Sequence, residues 1–331
     1  MKRDPYANNL QVRPDGTLRH FLSIEGLDQA LLTRVLDTAE SFDAASQKNV
    51  RKLPLLRGKT VLNLFFEPST RTRTTFDLAA RRLSADVVNL DINASSAVKG
   101  ESLLDTLRTL EAMRCDLFVI RHPQAGAAEF FARHVPEGVA VLNAGDGRHA
   151  HPTQGMLDLF TIRRHRPDLE NLVVVIVGDV AHSRVARSQI QVLNLFGVRQ
   201  VRVVGPATLI PSGVEQMGVH LFSSLDEAMV EADVVIGLRL QKERMRGPLL
   251  TSSDEYYQRY GITAERLALA RPECLVMHPG PMNRGIEIDS DVADGPQSTV
   301  LEQVRNGLSV RMAIMALTMG AGPGLATESR P

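Results

Sequence analysis

Between Thr60 and Leu83 the chain reads TVLNLFFEPSTRTRTTFDLAARRL. An apolar run ends in Glu67-Pro68, and Ser69, Thr70, Arg71, Thr72 and Arg73 follow where helical periodicity begins. The first turn of a helix has backbone N–H groups with no intrahelical partner, and hydroxyls and guanidinium groups around them make a seat for an anion. A guanidinium also offers paired donors to phosphate oxygens. The plain alternative is that Ser69 or Thr70 only caps the helix, with both arginines solvated. Two arginines in one turn, with Thr74 and Thr75 as further hydroxyls, weigh toward the anion. The glycine run and lysine of a Walker loop are absent, so a nucleoside triphosphate is not indicated.

Other donor-rich clusters recur down the chain. SSAVKGE at 95–101 offers Ser95 and Lys99, and Lys99 reads by spacing as an ordinary surface lysine unless it reaches the same anion. Arg121-His122-Pro123 ends an apolar run, where Arg121 either faces a cleft or pairs with a carboxylate. HAHPTQ holds His149, His151 and Gln154. Two histidines at that spacing raise zinc, but only Asp146 adds a ligand nearby, so a metal is disfavoured. His151 can instead donate to a polarised carbonyl, and Gln154 can bind an amide or carbonyl group. GDVAHSR follows a buried strand, yet Gly178 lacks the second and third glycines of a dinucleotide fingerprint. Arg184 stands in the first turn of the next helix, and Arg239 with Gln241 leaves another strand as an alternating pair, so Arg184 and Arg239 together could clamp a dicarboxylate. Asp91, Glu101 and Asp158 read as carboxylates on unrelated elements, and Cys115 and Cys274 lie in apolar stretches as buried thiols. What remains is rich in donors and poor in bases, a site that binds anions and stabilises developing oxygen charge.

These residues need elements to position them. Apolar strands alternate with helical patterns at the pace of βαβ units, which predicts an α/β protein with mostly parallel sheets flanked by helices. Strands are expected near Thr60–Phe66, Val87–Leu90, Leu117–Arg121, Val139–Asn143, Leu172–Val177, Gln200–Val204, His220–Phe222, Val234–Leu238 and Leu275–His278. The 331 residues fit two domains: 1–153, completed by a C-terminal helix at 303–320 packing back on it, and 154–302, with 1–19 a loosely held arm and 321–331 a flexible tail. The polar clusters fall at strand carboxyl ends, where open parallel sheets bind ligands. Lys plus Arg and Asp plus Glu number 38 each, so no net field draws the chain to nucleic acid or an anionic membrane. With no signal-like N-terminus and no run long enough to span a bilayer, a cytoplasmic location is expected.

STRTR at 69–73, KGES at 99–102, RHP at 121–123, NAGDGRHAHPTQ at 143–154, LDLFT at 157–161, RLQKER at 239–244 and HPGP at 278–281 together resemble the aspartate/ornithine carbamoyltransferase family, over about residues 20–320. RLQKE and SSAVKGE favour its aspartate-specific catalytic chains, since the ornithine enzymes carry an HCLP-like segment where this chain has HPGP. The resemblance implies carbamoyl transfer from carbamoyl phosphate to the amine of L-aspartate, in the committed step of pyrimidine (UMP) synthesis, with no metal or organic cofactor. Ser69, Thr70, Arg71 and Thr72 match phosphate-binding residues; Thr72, Arg121 and His151 match those facing the carbamoyl oxygen; Gln154 and the backbone of Pro279 and Gly280 match contacts to the carbamoyl nitrogen; and Arg184, Arg239 and Gln241 match the aspartate seat. Ser95 and Lys99 match residues serving a neighbouring chain's site, which implies a homotrimer with shared active sites. Arg284 is a candidate without an assigned role. The resemblance also allows assembly with a dihydroorotase or dihydroorotase-like protein, ahead of a regulatory chain. The alternatives are an ornithine or other amino-acid carbamoyltransferase, or a non-catalytic homologue that binds carbamoyl phosphate.

Overall fold

The computed structural model describes residues 9–48, 52–91, 102–241 and 252–321. The chain divides into two compact units, one of residues 1–153 with 306–331 and the other of 154–305. Helices α5 (Pro152–His165) and α11 (Val300–Thr318) each run from one unit into the other.

In the first unit β1 (Thr60–Phe65), β2 (Asp86–Asp91), β3 (Leu117–His122) and β4 (Ala140–Asp146) form a parallel sheet in the order β2-β1-β3-β4. Parallel strands need crossovers, and helices supply them: α2 (Thr70–Arg82), α3 (Leu103–Glu111) and α4 (Ala127–His134). The central strands are covered on both faces, which is why they read as continuous apolar runs rather than alternating ones. One face sets Leu62, Leu64, Phe118, Ile120 and Val141 against Leu107 and Leu110 of α3 and Phe131 and Ala132 of α4. The last helix, α11, lies against α2: Arg311 donates to Thr75 Oγ1 at 2.7 Å, and its guanidinium carbon stands 5.0 Å from the Phe76 ring centre. In α1 (Gln29–Gln47), Asp43 accepts from Ser309 of the same α11 at 3.5 Å.

The described part of the N-terminal arm, expected to be loosely held, is fastened instead. Val12 and Leu18 are buried and form an antiparallel bridge, and Arg13 Nη2 donates to the carbonyl of Thr318 at 2.8 Å. Gln11 Oε1 accepts the Leu22 and Ser23 N–H groups, and its Nε2 donates to the Glu25 carbonyl. Phe21 adds a parallel bridge to Leu142 and so covers the β4 edge of the sheet. No hydrophobic periodicity announces this, because side-chain amide and guanidinium groups hold the arm by hydrogen bonds to backbone.

The second unit carries β5 (Val173–Val177), β6 (Gln200–Val204), β7 (His220–Phe222), β8 (Val234–Gly237) and β9 (Leu275–Met277), all parallel, in the order β7-β6-β5-β8-β9. Helices α6 (Arg184–Leu195) and α7 (Leu225–Met229) are crossovers. Three further helices, α8 (Ser253–Tyr260), α9 (Ala264–Leu267) and α10 (Ser290–Ala293), lie outside the periodic pattern. The first of them has a start signal all the same, because Ser252 caps the N–H of Glu255 three residues on. Both cysteines are buried and free. Among the described residues no helix is long and apolar enough to cross a membrane.

Candidate active site

In the first unit the strand order reverses between β1 and β3, the position where an open parallel sheet leaves a crevice beyond its carboxyl ends. The chain leaving β1 turns at once into α2. Ser69 is the N-cap, extended at φ −164° and ψ 99°, and its hydroxyl makes no capping hydrogen bond. The simple-cap reading therefore fails: the Ser69 hydroxyl is not spent on capping the first turn of α2. A cavity of about 410 Å³ opens there, lined by Phe65, Glu67, Pro68, Ser69, Thr70, Arg73 and Thr74. Arg73 stands 5.8 Å from the Phe65 ring centre, which holds it along the cavity wall. Arg71 is exposed and Thr72 buried on the same turn, and neither lines this cavity. Of the two arginines that the motif pairs, Arg73 is thus the one on the wall, together with Glu67, to which the motif gave no role.

Arg121 comes to the same strand ends, with Phe65 as its register partner on β1. The β3–β4 register slips between Ile120↔Asn143 and His122↔Asp146, so two residues of β4 oppose Arg121, a bulge that re-aims a side chain. Its Nη1 donates to the Ala144 carbonyl at 3.1 Å, and its Nε lies 3.5 Å from Glu67 Oε2. The carboxylate partner considered from sequence is therefore present, at the edge of the cavity. His151 follows from β4, buried at the start of α5, and the loop that delivers it is built around Asp146. That carboxylate accepts from Gly126 N, Asn143 Nδ2 and Ala150 N and sits 3.1 Å from His149 Nδ1. Burial works to raise its pKa, but the bonds from His149, Asn143 and Gly126 outweigh it and hold the carboxyl below its ordinary range. His149 is raised in return, chiefly by its bond to Asp146. Gly147, at φ +49°, is obligatory in this loop, since a Cβ there would meet Ala125 N at 2.7 Å. His149 is accordingly a structural partner of Asp146. Among the described residues no three His, Cys, Asp or Glu side chains gather as a metal site.

In the second unit the order reverses about β5 and β8, and the residues beyond those two strands are the expected ones. Arg184 is the first residue of α6 and is buried, with Ser183 capping Ala186 N at 3.0 Å. His182 Nδ1 stands 2.8 Å from Asp179 Oδ1 and fixes the turn before it. Arg239 and Gln241 leave β8, and Gln241 Nε2 reaches the His182 carbonyl at 3.3 Å, tying the two loops together. Pro279 and Gly280 follow β9, with Gly280 at φ +66° and its N–H donated to His278 Nδ1 at 2.8 Å. Arg284 forms an exposed two-point pair with Asp294, at 2.7 and 2.8 Å, which accounts for it as a surface contact. Ser95 and Lys99 lie outside the described residues.

Gln154 turns its Nε2 to the buried Asp158 at 2.9 Å. Gln189 and Gln303 donate to the same carboxylate, at 2.6 and 2.7 Å. Asp158, read from sequence as one carboxylate among unrelated elements, is therefore the centre of a polar cluster touching a site residue. The signal that could have found it is its place one helical turn after Gln154.

Two α/β units, each a parallel sheet flanked by helices with cationic and hydroxyl groups at its strand reversal, define a carbamoyltransferase fold. Residues 19–164 match the family model described as the carbamoyl-P binding domain of aspartate/ornithine carbamoyltransferase, and residues 170–318 match its Asp/Orn binding domain. The chain is similar to aspartate transcarbamoylase from Trypanosoma cruzi in complex with carbamoyl aspartate and phosphate, with 33% identity, a TM-score of 0.81, and coverage of 90% of this chain and 95% of that one. The same enzyme in complex with carbamoyl phosphate gives 32% identity, a TM-score of 0.81 and the same coverage. Ornithine carbamoyltransferase from Pyrococcus furiosus gives 27% identity and a TM-score of 0.80, over 91% of this chain and 97% of that one. The chain belongs to the aspartate/ornithine carbamoyltransferase family.

Proposed function

We propose that the protein transfers the carbamoyl group of carbamoyl phosphate to the amine of L-aspartate, giving N-carbamoyl-L-aspartate and phosphate in pyrimidine synthesis. One observation carries the choice of amino acid. The adjacent ends of β5 and β8 lead into Arg184 and Arg239, and Gln241 ties their loops together. Two guanidinium groups suit the two carboxylates of aspartate, whereas ornithine would bring an ammonium against the second.

The phosphate docks on the first turn of α2 with Ser69, Thr70, Arg71 and Thr72. As the neutral amine attacks, a C–N bond forms and negative charge grows on the carbamoyl oxygen, where Thr72, Arg121 and His151 donate. The C–O bond to phosphate then breaks, and the departing phosphate takes the amine proton, so no carboxylate base is required. Arg71 balances the charge on the leaving group. The working assembly is a homotrimer in the cytoplasm, in which Ser95 and Lys99 serve a neighbouring chain's site; a dihydroorotase or dihydroorotase-like protein is its companion ahead of a regulatory chain.

The test is turnover of carbamoyl phosphate with aspartate or ornithine as sole acceptor. Carbamoyl aspartate from the first and nothing from the second is expected. Turnover of ornithine alone would overturn the choice of acceptor, and binding of carbamoyl phosphate without product from either would favour a non-catalytic homologue.

A further inference from the structure

Asp158 receives three amide nitrogens from three helices: Gln154 of α5 and Gln303 of α11 on Oδ1, and Gln189 of α6 on Oδ2. A carboxylate only accepts hydrogen bonds, so each glutamine must turn its NH₂ inward and its carbonyl oxygen away. For Gln303 the outward oxygen accepts the backbone N–H of His278 at 3.0 Å. His278 in turn accepts from Gly280 N, so the same carboxylate seats the 278–280 turn. For Gln154 the outward oxygen, Oε1, makes no hydrogen bond with the protein among the described residues. Gln154 is therefore locked as an acceptor. With its amide reversed it would present N–H groups, and among the described residues Asp158 is what fixes which.

We infer that Asp158 is a positioning residue that sets the polarity of the carbamoyl-nitrogen seat, holding the Gln154 oxygen outward directly and the backbone of Pro279 and Gly280 in place through Gln303 and His278. The inference rests on the carbamoyl-transfer reading and deepens it. Acceptors alone suit the NH₂ of a carbamoyl group and offer nothing to the methyl of an acetyl group, so Asp158 governs selection between carbamoyl phosphate and acetyl phosphate, two acyl phosphates of similar size.

The experiment compares kcat/KM for the two phosphates with aspartate as acceptor, in which the acetyl donor yields N-acetylaspartate and phosphate. In Asp158→Ala the carbamoyl-to-acetyl ratio is expected to fall about tenfold or more, mainly by loss on the carbamoyl donor, because the Gln154 amide is released to turn. Asp158→Asn should restore most of the ratio. Its oxygen can keep Gln154 and Gln303, and its NH₂ can face Gln189, whose own buried Oε1 has no partner among the described residues and can turn to accept. Should Asp158→Ala not fold, Gln303→Met carries the test: it cuts the link to His278 while leaving Asp158 the other two glutamines, and a fall of about threefold is expected. An unchanged ratio in the folded variant, or equal losses on both phosphates, overturns the inference. A wild-type protein inactive with carbamoyl phosphate and aspartate instead overturns the functional reading beneath it.

Discussion

Arg71 and His20 show two different ways in which a single side chain can matter. Arg71 sits on the first turn of α2 and is assigned to the phosphate; its exposed side chain bears little of the core. Arg71→Ala is expected to lower kcat by roughly 100-fold or more while the far-ultraviolet spectrum and unfolding midpoint stay at wild-type values; near-normal turnover would remove it from the mechanism. His20 is wholly buried, and its Nδ1 accepts the N–H of Val141, so the ring stays neutral. Burial, aided by Arg19 and Arg13, pushes its pKa down to about 3. The unfolded chain then binds the extra proton below about pH 6.5, and stability falls with pH between that value and about 3, with a slope of up to ~1.4 kcal/mol per pH unit. His20→Asn keeps an acceptor for Val141 and cannot titrate. Between about pH 7.5 and about pH 5, its urea-unfolding free energy should drop by about 2 kcal/mol less than that of wild type; equal drops would show that His20 carries no such linkage.

The elements were more legible in the sequence than the contacts between them. All nine strands stand within a residue or so of their expected places, except that β4 runs on to Asp146, because buried parallel strands leave unbroken apolar runs between helical patterns. The clusters 67–73, 121–122, 149–154, 178–184 and 239–241 were readable as strand-end groups, since helix starts and apolar stops mark those ends. The Asp158 cluster was not, because its glutamines stand on three helices that only the packed chain brings together. Short helices such as α10 were lost for a similar reason: four residues hold no period. The loop after β5 depends on shape in a way composition does not reveal. Gly178 has φ +120°, and a Cβ there would meet the Tyr256 hydroxyl at 2.7 Å and the Leu238 carbonyl at 3.2 Å. Tyr256 is buried, and its hydroxyl has no hydrogen-bond partner among the described residues. Tyr256→Phe should therefore change stability by less than about 1 kcal/mol, whereas Gly178→Ala should lose about 1–3 kcal/mol in urea unfolding. The double variant should recover only part of that loss, because the backbone strain remains; full recovery would assign the whole effect to the hydroxyl.

On the scale of the molecule, the second unit is inserted in the chain of the first, since α11 carries the chain past residue 305 back into the unit begun before residue 153. The returning part of α11 is buried from Val310 to Leu317 and backs the helix whose first turn is the proposed anion seat. A chain ending at Arg305 is expected to keep the second unit resistant to protease while the first is cleaved rapidly; equal resistance of both would show that α11 adds little. On a chain made from its N-terminus, all of residues 154–305 therefore precede the part of α11 that covers the first unit. The first unit is begun before the second but gains this cover only after it, so the first turn of α2, where the phosphate is proposed to dock, receives its backing helix late.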